Sequence, residues 1–207
     1  MKRTNTENRR QRGFTLIEMV GVLAVIAILA ALLIPRIIVA INEARLNNAV
    51  ASYQGAKAAA MSYYGKYGKF GKGNGVTLVL PADAAIAAAW DTQVLLPEGF
   101  LDRAFASRVG DATTVEMIAG GVDPVAAGTG YNLSGVAANN DTKNAAFVVQ
   151  AKLTNVSLDD ARELNKRIDG ATAALGESAA GTDLGGQVCY NFGATTVGTV
   201  YIYVGHK

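Results

Sequence analysis

The chain has 207 residues, half of them hydrophobic, with 19 basic and 17 acidic side chains and a net charge of +2. That balance is not the charge of a nucleic-acid-binding domain. A single cysteine, Cys189, excludes an intrachain disulfide, and a single histidine, His206, argues against a histidine triad or a multi-histidine metal centre.

Residues 1–13 form a basic leader, with Lys2, Arg3, Arg9, Arg10 and Arg12 against Glu7. Beyond it the chain keeps 14 basic and 16 acidic residues, a net of −2. The leader ends at Gly13, and an apolar run of 21 residues then extends from Phe14 to Ile34 with Glu18 as its only charge. As an α-helix it would cover roughly 30 Å, about one bilayer core. It is apolar on all sides, unlike a helix with one face on a soluble core. The basic flank predicts a cytoplasmic N-terminus and export of residues 42–207. An ordinary signal peptide would place a small-residue cleavage site after the apolar run. Here the far edge reads Leu33-Ile34-Pro35-Arg36, and the glycine precedes the run instead. A carboxylate this deep in an apolar helix calls for a functional reason. Its bland reading is a glutamate favoured by the helix dipole and snorkelling to the interface. Two positions weaken the helix. Gly21 costs about 1 kcal/mol relative to Ala. Pro35 removes a donor and crowds the carbonyl of Ala31, which predicts a kink.

From Asn42 the pattern becomes amphipathic. Leu46, Val50, Tyr53, Met61 and Tyr64 recur at three- or four-residue steps, with Ala49, Ala56 and Ala60 beside them. The helix is predicted to run to about Tyr64, before the glycines at 65, 68, 71, 73 and 75. In the remaining chain, Val76–Leu80 reads as a strand, Asp83–Trp90 as a helix capped by Asp83, and residues 94–101 as a loop tucking apolar side chains under the long helix. Strands are expected at Thr114–Ile118 and Ala145–Leu153. Ser157–Ile168 has the clearest helix signals: a Ser157/Asp160 cap, a stripe of Leu158, Ala161, Leu164 and Ile168, and Gly170 after its end. Gln187–Phe192 and Thr199–Val204 read as an antiparallel pair. The fold class is therefore α+β, a long N-terminal helix with a transmembrane first half packed on an antiparallel sheet. The segments are 1–13 leader, 14–41 membrane helix, 42–66 amphipathic continuation and 67–207 globular head.

Other signals point to no chemistry. Lys57, Lys66, Lys69 and Lys72, interleaved with Tyr63, Tyr64, Tyr67 and Phe70, would suit contact with DNA but read better as a solvated rim. Gly71-Lys72-Gly73-Asn74-Gly75 lacks the strand-then-helix setting and Lys-Ser/Thr ending of a phosphate loop. Sequons at Asn132 and Asn155 carry little information. No enzymatic activity is predicted.

Gly13-Phe14-Thr15-Leu16-Ile17-Glu18, with its basic leader and apolar helix, resembles the class III signal of type IV pilins and type II secretion pseudopilins. The close likeness covers about residues 9–67. It implies cleavage between Gly13 and Phe14 by a prepilin peptidase and N-methylation of Phe14. It also implies self-assembly into a helical filament through an inner-membrane assembly platform. The matching glutamate in the family pairs with the N-terminal amine of a neighbouring subunit, so Phe14 and Glu18 are the assembly residues. On this reading an unassembled subunit holds an unsatisfied Glu18 in the bilayer, and pairing fixes the register. Loss of helical order between Gly21 and Pro35 in the filament is a further implication. Many pilins carry a C-terminal disulfide that this chain lacks. Several pseudopilins bind calcium in the head, for which Asp159, Asp160, Asp169 and Asp183 are weak candidates and no cofactor is otherwise expected. Asp159 and Asp160 are better explained by first-turn helix placement. The subunit would reside in the bacterial inner membrane, then in a periplasmic or cell-surface filament. A pilus and a secretion pseudopilus remain open, as does a single-span anchored binding domain that does not polymerise.

Overall fold

The computed structural model describes residues 13–71, 84–120, 130–134, 141–170, 181–193 and 195–207. The strand expected at Val76–Leu80 and the cap at Asp83 lie outside them. The chain divides into two compact units, Met1–Glu43 and Ala44–Lys207. The long helix α1, Leu16–Tyr67, has 52 residues and belongs to both.

In the first unit α1 is continuous through Gly21 and Pro35. No described side chain of this unit is buried, and its Leu, Ile and Val residues stand exposed. The helix is long and apolar enough to cross a membrane, and none of its most apolar stretch is covered by protein.

In the second unit α1 buries Leu46, Ala49, Tyr53, Ala56, Ala60 and Tyr63, alternating steps of three and four. Tyr63 takes the place expected for Met61, and the other five lie on the predicted face. Val50 and Tyr64 flank it half-buried, and Met61 is exposed. After α2, Ala84–Ala88, comes a π-helical turn, Asp91–Leu95, where a plain loop was expected from residue 94. The tucking expectation holds for side chains. Val94 and Leu95 are buried, and the Phe100 ring lies 5.3 Å from Tyr63.

The sheet contains β1 (Ala112–Ala119), β2 (Phe147–Ser157), β3 (Thr182–Asp183), β4 (Val188–Asn191) and β5 (Val197–His206), in the order β1-β2-β5-β4-β3. Neighbours are antiparallel throughout. Helix α3, Leu158–Ile168, follows β2 without a loop. Ser157 is its N-cap and accepts the Asp160 N–H at 3.2 Å. Gly170, one residue past the Asp169 C-cap, takes φ +87°, the left-handed value a helix end favours in glycine.

Alternation along the strands gives the sheet two apolar faces. Val115, Met117, Val149, Ala151, Leu153, Val188, Tyr190, Val200, Ile202 and Val204 join α1 and α3 in the main core. On the opposite face Val148 and Cys189 meet Tyr131, whose segment crosses that face. There the paired residues Glu116 and Gln150 hydrogen-bond at 2.7 Å, and Gln150 accepts the Tyr131 hydroxyl at 2.8 Å. A fully buried glutamine satisfied on both sides ties the crossing segment to the sheet.

Candidate functional site

Gly13, Phe14 and Thr15 precede the first turn of α1 in non-helical backbone. Phe14, Leu16 and Ile17 are about four-fifths exposed, so among the described residues nothing packs over the Gly13–Phe14 peptide bond. Thr15 and Glu18 close on each other. The Thr15 N–H and hydroxyl each donate to Glu18 Oε2 at 3.0 Å. The Glu18 N–H donates back to Thr15 Oγ1 at 3.3 Å. This is a capping box, which satisfies donors at a helix start that would otherwise lack partners.

The expectation of an unsatisfied Glu18 in the single chain is therefore corrected. One carboxylate oxygen is already held by two donors from Thr15. Thr15 is the residue that reasoning from charge passes over, although Thr-x-x-Glu ahead of an apolar run is a legible capping signal.

The four head aspartates do not gather into one site. Asp159 and Asp160 open α3 and Asp169 caps its far end, about 14–15 Å along the helix axis. Asp160 lies 4.0 Å from Arg45. Asp169 accepts the Gln187 N–H at 2.9 Å and the Val188 N–H at 2.8 Å. Burial pushes its carboxyl above the usual range, opposed by those two N–H groups and by Lys57. Asp183 accepts the Gly185 N–H at 2.9 Å and the Asn165 side-chain amide. Among the described residues no group of three or more His, Cys, Asp or Glu side chains could hold a metal ion.

The lysine and tyrosine cluster at the end of α1 is not a stacking surface. Tyr63 and Phe70 are buried, and both meet Trp90 edge-on at 5.3 and 5.8 Å. Trp90 donates its indole N–H to the carbonyl of Gly71 at 2.9 Å. Lys57 is half-buried and donates to Gln187 Oε1 at 2.8 Å, so it braces α1 against the start of β4. Lys72 lies outside the described residues.

A membrane-length apolar helix that continues into an α+β unit with an antiparallel sheet is a pilin-like architecture. Comparison with known proteins agrees. A family model described as the prokaryotic N-terminal methylation motif matches residues 8–34. Two sequences of the type IV major pilin protein PilE1 of Neisseria gonorrhoeae are each 37% identical over 67 residues, 32% of this chain. The matched stretch spans 41% of one relative and 37% of the other, so this chain covers about two-fifths of the curated relatives it matches. No solved structure gives a significant match. The N-terminal segment thus carries this methylation motif and is similar to that of type IV major pilins, and the fold is pilin-like.

Proposed function

We propose that the chain is a prepilin, the precursor of a structural filament subunit without catalytic activity of its own. A prepilin peptidase adds water across the Gly13–Phe14 bond, leaving a carboxylate on Gly13 and an ammonium on Phe14, which then becomes N-methylated. The mature subunit waits in the inner membrane with its apolar helix in the bilayer. An assembly platform then moves it into a filament of copies of itself. Transfer of that helix from lipid to protein gains little hydrophobic energy, because both surroundings are apolar. Close packing and the pairing of Glu18 with a Phe14 ammonium must then supply the specificity.

The observation that carries this reading is the coincidence, within six residues, of an exposed glycine-bounded peptide bond, a capped helix start and a single carboxylate opening an uncovered apolar helix. The similarity to type IV major pilins favours a cell-surface pilus over a periplasmic pseudopilus. Mass spectrometry of the native protein should find methylated Phe14 at the N-terminus, and electron microscopy of sheared surface fractions should find filaments. Glu18→Ala should leave the head folded and abolish filaments. A chain that keeps residues 1–13 in the cell, or a Glu18→Ala variant in an unchanged assembly state, would identify an anchored domain instead.

A further inference from the structure

We propose that Lys57 and Gln187 form an intramolecular amide bond, an isopeptide cross-link that ties α1 covalently to the start of β4. The inference is independent of the filament reading, since every residue it uses lies in the second unit. Three side chains converge on Gln187. Lys57 Nζ donates to its Oε1 at 2.8 Å, and the Tyr53 hydroxyl stands 3.4 Å from the same oxygen. Asp169 accepts the Gln187 backbone N–H at 2.9 Å. The Gln187 side-chain amide is also among the groups that favour the ionised form of Asp169. The carboxamide is thus held with its oxygen toward Lys57 and Tyr53 and its nitrogen toward the carboxylate.

Lysine and glutamine side chains in water do not react, because the amine is protonated and the amide is a poor electrophile. Here the surroundings lower both barriers. Lys57 is half-buried, and desolvation lowers the pKa of its ammonium against the pull of Asp169. Burial raises the carboxyl of Asp169. The two groups approach each other in proton affinity, so Lys57 passes a proton to Asp169 at less cost than in water. The neutral amine then adds to Gln187 Cδ, and the carbonyl electron pair moves onto Oε1. At rest the Tyr53 hydroxyl donates to the Tyr203 carbonyl at 2.6 Å, and it turns to Oε1 as charge gathers there. Asp169 gives its proton to the Gln187 nitrogen, that C–N bond breaks, and ammonia leaves. The new amide nitrogen yields its extra proton to the ammonia, which departs as ammonium. One C–N bond forms and one breaks, Asp169 ends ionised as it began, and no oxidant or co-reactant is consumed. The joined residues are 130 apart in sequence. Closing so long a loop constrains the unfolded chain as a disulfide would, in a chain whose single cysteine allows none.

Denaturing mass spectrometry of the full chain purified from its native cell tests this directly. Trypsin should release a branched peptide that holds both Lys57 and Gln187, lighter than its two parts by one ammonia, and should not cut after Lys57. Lys57→Met and Gln187→Met should each abolish the branched peptide and lower the unfolding temperature of the head. Asp169→Asn keeps an acceptor oxygen but cannot relay the proton. It should slow cross-linking by about a hundredfold, the low end of what a positioned acid–base group contributes, followed as the branched fraction against time after synthesis. Separate, unbranched peptides from the folded parent overturn the proposal and leave the filament reading untouched. So does an ammonia loss that persists in Lys57→Met, or cross-linking at the parental rate in a folded Asp169→Asn. The parent measurement needs no substitution, so a variant that fails to fold leaves the answer intact.

Discussion

Asp169 shows how one side chain can organise a corner of the head. It ends α3, and its two oxygens receive the backbone N–H groups that open β4. Gly186 lies against it with φ +80°, and a Cβ there would come within 2.5 Å of Asp169 Oδ2. Only glycine fits that turn without moving the carboxylate. Asp169→Ala should destabilise the head by about 1–3 kcal/mol, because it leaves buried N–H donors unmatched. Asp169→Asn, which keeps one acceptor oxygen, should cost less, and chemical denaturation of both variants would check the order. Tyrosines give the head a defined alkaline limit. Burial raises the Tyr63 and Tyr203 hydroxyls from 10 to about 12. Between those values the unfolded chain loses phenolic protons that the folded head retains. Stability should therefore fall as pH rises from about 10 to about 12. Phenolate absorbance during alkaline titration should rise together with loss of the sheet signal. Tyr63→Phe should weaken the pH dependence.

Elements differed in how openly they announce themselves. Helix α3 was legible because its signals are local: a cap, a stripe and a terminal glycine. Ser157→Ala should cost about 1 kcal/mol by thermal unfolding and Ser157→Gly only a few tenths. Strand β2 runs past its predicted end at Leu153 to Ser157, through a register shift where Asn155 adopts φ +56°. Asparagine reads as a turn residue, and its place inside a strand is set by the partner strands. The π-helical turn escaped for a similar reason. Asp91 looks like a surface acid but is buried, accepting the Phe105 N–H at 3.0 Å and the Thr114 hydroxyl at 3.2 Å. Both partners are remote in sequence. In α1 the helical period was plain and gave most of the buried face, but that Tyr63 and not Met61 lies inside depended on the packing of the head. Tyr53 donates to the carbonyl of Tyr203 at 2.6 Å, and Tyr63 packs on Trp90.

For the whole molecule, the division at Glu43 places nearly half of α1, from Ala44 to Tyr67, within the head. Every buried residue of the main core falls at or after Leu46. Residues 44–207 expressed alone should thus unfold cooperatively, within a few degrees of the head of the full chain. Starting instead at residue 68 removes Leu46 through Tyr63 from that core and should leave no cooperative transition in calorimetry. Reducing agent should not change either result, since the chain has one cysteine, which is buried, and can form no intrachain disulfide. The first unit follows different rules. Among its described residues no side chain is buried, so this unit has no apolar core of its own.

Sequence by itself determined the membrane-length helix, its lone carboxylate, the glycine ahead of it and the α+β class, because length, charge and period are properties of neighbouring residues. The Thr15–Glu18 cap was equally local and readable as a spacing. Tertiary structure alone decided that Lys57, Tyr63 and Phe70 face inward, that Asp169 and Asp183 serve backbone N–H groups, and that the outer face of the sheet carries a second apolar cluster. Each of those outcomes depends on partners distant in the chain, where burial and hydrogen-bond satisfaction outweigh what a side chain would do in isolation.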